Sequence, residues 1–450
     1  MMELNRSNYT EACIRGELLL PHILAPFINV DPKKYSALES KSRPLNFDKI
    51  SKRYGERKFQ DIRVAVSQTW HTALTYFPAY RFQAMEYIND EWLATLDDHK
   101  DFPRDHVSHQ VYSYYVTRTL LAGKDLSGYD STFDLRPNGK TFREHIIDAI
   151  LQCEKGRYLL NACKEMGVPS RYWKDTTSPV TRYLWGTLID ETLALACYFH
   201  DIGYPWQFVN FVESLLGQHQ PGVRLSLIDN AMLMRFKNRL MGTPFDGYEP
   251  PGRTQPIDRE QSIRCAFSKA ACDTHGLPGA VVFLHLNDVL RRFPDPNDSP
   301  VKRFCLEWAA MAIMMHDLEG IYAKDSQKQL RIDFARDPLS FMLTLADQIQ
   351  DFDRPNADFL DGKATLNGSS ASPVDVNLKY VSKCSGVYLN WAAQLKRLTI
   401  SFMFANPVER LMNRTSFKKK AQRQYFDPIN GYLDYSSPAL GIDSIQLDVP

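Results

Sequence analysis

The chain has 450 residues, of which 44% are hydrophobic and 24% are charged. This ordinary globular composition excludes a mostly disordered, collagenous or coiled-coil protein and is typical of one enzyme-sized domain with extensions. Lysine and arginine number 54 against 53 aspartate and glutamate residues, so no overall electrostatic field draws the protein to nucleic acid or to an anionic membrane.

The N-terminal region predicts a cytoplasmic protein. Its apolar stretch, residues 18–30, is interrupted by prolines and a histidine and lacks the basic leader and cleavage site of a secretory signal. No window contains the roughly 18 uninterrupted apolar residues that a membrane-spanning helix needs, so no membrane partner is expected. The eight cysteines form no CxxC pair, which argues against a disulfide framework and against a thiolate zinc site.

The hydrophobic pattern divides the chain into three regions. Residues 1–60 mix short apolar pieces with charge and proline, as in an irregular N-terminal extension. Residues 61–355 are dominated by helical periodicity and carry two predicted insertions, at 123–180 and 202–274. Residues 356–450 form a C-terminal appendage.

Helical periodicity predicts the elements of the central region in chain order. They are 62–121, 141–166, 180–200, 277–292, 303–315 and 338–350. Asp337 is placed to cap the last of these helices, and Pro338 suits its first position. In the appendage, residues 374–381 and 398–404 alternate like strands and are expected to pair as a hairpin. The predicted fold class is therefore mainly α, with a helical bundle core and a small appendage that contains a β-hairpin.

Histidine and aspartate recur at the ends of the predicted apolar helices. His200 and Asp201 are adjacent in ALACYFHDIGYPW, where an apolar helix meets glycine and proline. The other members of the series are His109, His275, His316 and Asp347. A carboxylate inside an apolar helix is costly to bury unless it is paired or binds a metal. Imidazole and carboxylate groups at such positions predict a site for a divalent ion.

Four further histidines are alternative candidates for these ligand positions. RDHVSHQ places His106 three residues before His109, on the same face of a predicted helix, so either could be the first ligand. His109 is favoured because it lies one turn deeper in the helix. His145, His219 and His285 are interpreted as structural.

The ordered series resembles the HD-domain superfamily of metal-dependent phosphohydrolases. That superfamily is all-helical and uses a His, an adjacent His-Asp, often two further His, and a final Asp. The resemblance covers about residues 105–355, and its most specific parts are HDIGYP and DPLSFMLTLADQIQDFDRP with a preceding MMHD. It implies an HD-type helical core in which a first ion is bound by His109, His200, Asp201 and Asp347. His275 and His316 would complete a second ion site in members that bind two.

The resemblance implies hydrolysis of a phosphoester or phosphoanhydride by a metal-activated water, with His200 and Asp201 at the catalytic centre. The substrate would be a small phosphorylated molecule such as a nucleotide. Ligands of this kind without cysteine suit Mn, Fe, Ni, Co, Zn or Mg, as one or two divalent ions. The candidate cations for the substrate phosphates are Arg104, Lys302, Arg303 and Arg354. Asp317 is either a group that holds a ligand in orientation or a solvated helix end.

Two other classes of function stay open. A catalytically silent relative would sense a nucleotide or a metal with the same fold. A scaffold protein would use the 202–274 insertion and the C-terminal strands as contact surfaces. The basic run 418–420 is interpreted as a solvated surface, which leaves no strong nucleic-acid signal. The resemblance also suggests a homo-oligomer, since related enzymes often assemble from several copies.

Overall fold

The computed structural model describes residues 1–15, 17–18, 106–153, 177–206, 274–290, 300–318, 331–352, 384–405 and 431–449, with a few isolated positions between them. Predictions that fall elsewhere lie outside the described residues. These include the helix expected before residue 106, most of the 202–274 insertion, and the strand expected at 374–381.

Most of the described helices follow the predicted helical segments, but the helix predicted at 141–166 ends at Gln152, and the helix Arg6–Ile14 was not predicted. In chain order they are α1 (Arg6–Ile14), α2 (His106–Ala122), α3 (Phe142–Gln152), α4 (Pro179–Phe199), α5 (Gly276–Leu290), α6 (Pro300–Met315) and α7 (Pro338–Ile349). Short 3-10 helices occur at Pro137–Gly139 and Ala393–Leu395. In the part of the chain that the structure describes, none of the helices combines the length and apolarity needed to cross a lipid bilayer.

Local sequence explains where two of these helices begin. Thr141 and Glu144 form a capping box at the start of α3, in which each side chain bonds the backbone N–H of the other residue. At α7, the Asp337 side chain accepts from the backbone N–H of Ser340, and Pro338 occupies the first turn. The sequence prediction for this helix start is confirmed.

The centre of the helical region is α4. It packs against α2, α3, α6 and α7, and α6 in turn packs against α5 and α7. Residues 188–203 are buried without exception. A mostly apolar helix that is buried on all sides belongs in the middle of a bundle, because each face removes apolar surface from water. The end of α4, which carries His200 and Asp201, therefore lies inside the core.

A four-stranded mixed sheet joins the two ends of the chain. Its strands are β1 (Met2–Leu4), β3 (Gly386–Ala392), β4 (Arg397–Met403) and β6 (Ser444–Asp448), and they lie side by side in the order β1-β3-β4-β6. The first three pair antiparallel, whereas β4 and β6 pair parallel. Alternate residues of β4 are buried, as expected for a strand with one face on the core. A second, two-stranded parallel sheet pairs β2 (Ile332–Asp333) with β5 (Leu433–Asp434).

The prediction of a mainly α fold with only a small hairpin is wrong. Of the described residues, 54% are helical and 15% lie in strands, and the four-stranded sheet is mixed. The predicted strand 398–404 is confirmed as β4, but its described hairpin partner is Gly386–Ala392. The N-terminal extension is also not irregular throughout, because it supplies β1 and α1. The pairing of β1 with β3 joins Met2 to Leu389, nearly the whole chain apart, so local periodicity did not reveal it.

Candidate metal centre

Five helices bring the predicted histidine and aspartate series together. His109 lies in the first turn of α2, and Asp347 lies in the last turns of α7. The remaining residues are at helix boundaries: His200 and Asp201 end α4, His275 precedes α5, and His316 follows α6. All four imidazoles and Asp201 are buried, and His200 is 0% exposed.

Close packing of glycines allows these helix ends to meet. A Cβ atom on Gly203 would lie 1.8 Å from the His275 carbonyl oxygen. A Cβ atom on Gly276 would lie 2.8 Å from the Ile313 carbonyl oxygen. Both contacts are with backbone, which has little freedom to move aside. The absence of side chains at these positions therefore sets the distance between the ends of α4, α5 and α6.

Two of the histidines are oriented by their own helices. The His200 Nδ1 donates to the Cys197 carbonyl oxygen at 2.8 Å, and the His316 Nδ1 donates to the Ile313 carbonyl oxygen at 2.6 Å. A carbonyl oxygen can only accept, so the hydrogen of each neutral ring is on Nδ1. Each Nε2 therefore presents a lone pair.

The other two histidines are oriented by side chains. The His109 Nδ1 pairs with the Gln350 Oε1, and the His275 Nδ1 lies 2.6 Å from the Asp317 Oδ2. Asp317 also accepts from the backbone N–H of His275 at 2.8 Å, which holds the start of α5. Of the two interpretations of Asp317, a group that orients a ligand or a solvated helix end, these contacts agree with the first. In each ring the oxygen partner again places the hydrogen on Nδ1 and leaves Nε2 facing the cluster.

At one side of the cluster the Nε2 atoms face carboxylates. The His109 Nε2 lies 2.7 Å from the Asp347 Oδ1. The His200 Nε2 lies 3.3 Å from the Asp201 Oδ1 and 3.6 Å from the Asp347 Oδ1, and it is buried without a hydrogen-bond partner among the described residues. Two ligand atoms that share one ion at about 2.1 Å would lie about 3.0–3.4 Å apart. The 3.3 Å separation lies in this range, whereas the 2.7 Å contact is as short as a hydrogen bond and the 3.6 Å separation is slightly longer, so small side-chain movements would bring these atoms onto one ion.

At the other side, two imidazole nitrogens face each other. The Nε2 atoms of His275 and His316 are 3.0 Å apart, and the His275 Nε2 is 3.3 Å from the Asp201 Oδ1. Both rings already use Nδ1 as a donor, so neutral rings would oppose two lone pairs. A cation between them, either a proton or a metal ion, resolves this repulsion.

The charges of the cluster follow from burial and from close neighbours. Burial lowers the pKa of His200 to about 4, against the opposing effect of Asp201, and keeps the ring neutral. Burial also opposes ionisation of Asp201, but His200 and His275 hold the pKa of this carboxyl well below its usual range. For His275, burial lowers the pKa, but Asp317 and Asp201 raise it to about 9. In the metal-free protein a proton therefore stays on His275.

Buried histidine and aspartate groups in this arrangement could hold a metal ion. The ligand atoms of His109, His200 and Asp201 all lie within 4.8 Å of one another, and so do those of Asp201, His275 and His316. Asp201 belongs to both groups. Neutral imidazoles and ionised carboxylates are the forms that bind divalent ions.

Of the four predicted substrate-binding cations, only Arg303 has a side chain among the described residues. Arg104 and Arg354 lie outside the description, as does the side chain of Lys302. Arg303 is exposed near the start of α6, whereas His316 follows the end of that helix. Thirteen residues of helix separate them by about 20 Å. The structure thus places Arg303 far from the imidazoles.

The competing histidines lie apart from the cluster or outside the description. His106 begins α2, but its side chain is outside the described residues, as is His219. His145 is buried, and its Nε2 lies 2.7 Å from the Pro137 carbonyl oxygen, where it supports the loop before α3. His285 lies within α5, and its ring contacts Phe236.

Sequence reasoning missed two residues that touch the predicted ligands. Gln350 contacts His109, and the Tyr204 ring stacks on His275 with a centroid distance of 3.9 Å. Gln350 lies three residues after Asp347, one helical turn away, and Tyr204 lies three residues after Asp201. The signal available in the sequence was this one-turn spacing from a predicted ligand.

Comparison of the chain with models of known protein families, with curated proteins and with solved structures gives no match. The resemblance to the HD-domain superfamily therefore stays a prediction from the order and type of the residues.

Proposed function

We propose that the protein is a divalent-metal-dependent phosphohydrolase of the HD-domain type, which acts on a small phosphorylated substrate such as a nucleotide. One observation carries the proposal. Four buried imidazoles each use Nδ1 as a donor. The Nε2 atoms of three of them lie within 3.3 Å of a carboxylate oxygen of Asp201 or Asp347, and the fourth, that of His316, lies 3.0 Å from the His275 Nε2. Imidazole nitrogens and carboxylate oxygens thus converge in one buried region, which is the chemistry of a cation site.

The residues divide into a first set and a second set that share Asp201. His109, His200, Asp201 and Asp347 would hold a first ion, and Asp201, His275 and His316 would hold a second where two ions bind. A divalent ion bound by such residues supplies Lewis-acid activation of water and neutralises charge on a phosphoryl group. The identity of the ion stays within Mn, Fe, Ni, Co, Zn and Mg.

His275 is a candidate proton donor beside the first set of ligands. In the metal-free protein, Asp317 and Asp201 raise the pKa of His275 to about 9 against the effect of burial, so the ring carries a proton at neutral pH. Its Nε2–H lies at the edge of the cluster, 3.3 Å from the Asp201 Oδ1, and can be donated to a leaving oxygen. The Tyr204 ring, stacked on His275, limits the directions from which a leaving group reaches this proton. With two ions bound, the same nitrogen serves as a ligand.

Metal content of protein purified without an affinity metal tests the proposal. We expect one or two divalent ions per chain in the wild type, measured by inductively coupled plasma mass spectrometry. The His200→Ala, Asp201→Ala double variant should bind none. A His145→Gln variant, which changes a buried histidine away from the cluster, should keep the wild-type content.

Hydrolysis is then measured with the bound ion on nucleoside mono-, di- and triphosphates and on an aryl phosphodiester. Asp201→Ala should abolish turnover, and full activity in that variant would exclude the proposed mechanism. No bound ion in the wild type, even after reloading with Mn, Fe, Ni and Zn, would refute the metal site. Bound metal and bound nucleotide without hydrolysis would identify the silent sensing module instead.

A further inference from the structure

The two nitrogens of the His109 ring are held by two side chains of the same helix. Asp347 lies opposite Nε2 at 2.7 Å, and Gln350 lies opposite Nδ1. The two residues are three positions apart at the end of α7, which puts them on one face of the helix, one turn from each other. Two side chains at the end of α7 thus contact both nitrogens of the His109 ring.

The Gln350 amide has only one orientation that satisfies its hydrogen bonds. Its Nε2 donates to the Phe352 carbonyl oxygen at 3.0 Å, so its Oε1 must be the atom that faces His109. The reverse orientation would set the amide oxygen against the Phe352 carbonyl oxygen, two acceptors in contact. Gln350 is 0% exposed, so no water replaces a lost partner cheaply.

His109 differs from the two histidines that are oriented by backbone. His200 and His316 each donate to a carbonyl oxygen three residues earlier in the chain, which no substitution can remove. His109 lies near the start of α2 and takes a side-chain acceptor from another helix instead. An amide oxygen fixes the ring hydrogen without adding a negative charge next to Asp347.

We infer that Gln350 is a positioning residue for the first ion site: its Oε1 accepts the Nδ1–H of His109, so that Nε2 is the nitrogen turned toward Asp347 and available to the ion. The inference rests on the proposed function for what Nε2 binds. The hydrogen on Nδ1 depends on the contacts between Gln350, His109 and Phe352, whereas Nε2 also faces Asp347. Both statements are therefore tested separately.

Three variants on α7 and its C-terminal cap test the role of the amide oxygen. Gln350→Met keeps the length of the side chain but removes a strong acceptor, and it should weaken binding of the first ion by about 10–100-fold. Gln350→Glu keeps an acceptor for His109 but sets a carboxylate oxygen against the Phe352 carbonyl oxygen, so at pH 8 it should lose less affinity than Gln350→Met. Thr344→Val, a buried and nearly isosteric change one turn before Asp347, is the matched control and should not alter the affinity.

Affinity is measured by titration of the metal-free proteins with the ion found in the wild type, and thermal unfolding shows that each variant is folded. Wild-type affinity in Gln350→Met would overturn the inference. A loss in Gln350→Glu as large as that in Gln350→Met would overturn it too, since the bond to Phe352 rather than the acceptor would then matter.

The tautomer is measured on the metal-free protein at pH 8 by long-range ¹H–¹⁵N NMR of protein labelled at histidine, with the His109 signals assigned from a His109→Gln sample. We expect the Nδ1–H pattern in the wild type and its loss in Gln350→Met. An Nδ1 without a hydrogen in the wild type would overturn the inference, even if the metal site is real. If the wild type binds no ion, the proposed function fails, and the tautomer measurement still decides the role of Gln350.

Discussion

Replacement of Gly203 by alanine is the sharpest test of how the fold builds the cluster. Gly203 lies two residues after Asp201, where the end of α4 passes the start of α5. A Cβ atom there would lie 1.8 Å from the His275 carbonyl oxygen and 2.6 Å from the Gly279 nitrogen. Both neighbours are backbone atoms, so no side chain can rotate away.

The size of the expected effect follows from these distances. Ordinary contact begins at 3.4 Å, so the two chain segments must separate by about 1.6 Å to admit the methyl group. Overpacking of this kind usually costs about 1–3 kcal/mol and occasionally more. The same movement widens the gap between the Asp201 Oδ1 and the His275 Nε2, now 3.3 Å. Asp201 and His275 would then no longer share one ion. The affinity for the metal ion should fall at least tenfold, which corresponds to about 1.4 kcal/mol of binding free energy.

Chemical denaturation and metal titration of Gly203→Ala measure the two effects. Gly186→Ala is the matched control, because it lies in α4, the helix that leads to Gly203, and the atoms nearest its Cβ belong to the flexible Arg143 side chain, the closest at 3.1 Å. Alanine in a helix interior is favoured over glycine by about 1 kcal/mol, so the control should be as stable as wild type or more so. A Gly203→Ala protein with wild-type stability and wild-type metal affinity would refute the packing argument.

Three further changes separate the ion site from the rest of the fold. Asp317→Ala removes the acceptor for the His275 Nδ1 and for the backbone at the start of α5, so metal affinity should fall by about 10–100-fold in titration, and wild-type affinity would exclude the orienting role. Asp190→Asn leaves Arg118 and Arg143 without their shared buried carboxylate, and the free energy of unfolding in urea should fall by about 3 kcal/mol. Metal binding should not change, because Asp190 lies ten residues, about 15 Å, before His200 along α4. Asp148 accepts hydrogen bonds from Lys140 and Arg182. Burial raises the pKa of this carboxyl, but the two bonds lower it overall. The ionised carboxylate therefore stabilises the folded state above the unfolded pKa of about 3.9, and this contribution is lost as the pH falls through the lower folded pKa. Asp148→Asn should lose about 0.5–1 kcal/mol at pH 7, with the difference from wild type disappearing in acid, and a difference that persists there would contradict the ion-pair explanation.

Local chemistry made much of the helical part predictable. The cap at Asp337 depends on residues within one turn, so the sequence alone predicted where α7 begins. The apolar run that ends at His200 predicted a buried helix in the same way, and α4 is buried over its last turns. Burial and the ends of helices follow from neighbours in the chain, which a sequence displays directly.

The sheet and the orientation of the ligands depend instead on long-range contacts. The strand Met2–Leu4 has too few residues for a pattern, and its partner Gly386–Ala392 lies nearly the whole chain away. In the sequence, Gln350 is indistinguishable from an ordinary polar residue at a helix end. Its role becomes visible only because α2 packs against α7 and places His109 next to it. Residue types therefore indicated which groups could bind a metal, but only the packing of helices shows which nitrogen of each ring faces the others.

The C-terminal segments support the turns that carry two of these groups. The Tyr432 hydroxyl donates to the carbonyl oxygen of Met315, the residue before His316. Phe352, whose carbonyl oxygen fixes the Gln350 amide, forms a parallel bridge with Cys384. Contacts thus cross the predicted domain boundary at residue 355 on both sides of the cluster. Since His316 and His109 are held through these turns, we expect changes in the C-terminal segments to reach the ion site through the Tyr432–Met315 and Cys384–Phe352 contacts rather than through the ligands themselves.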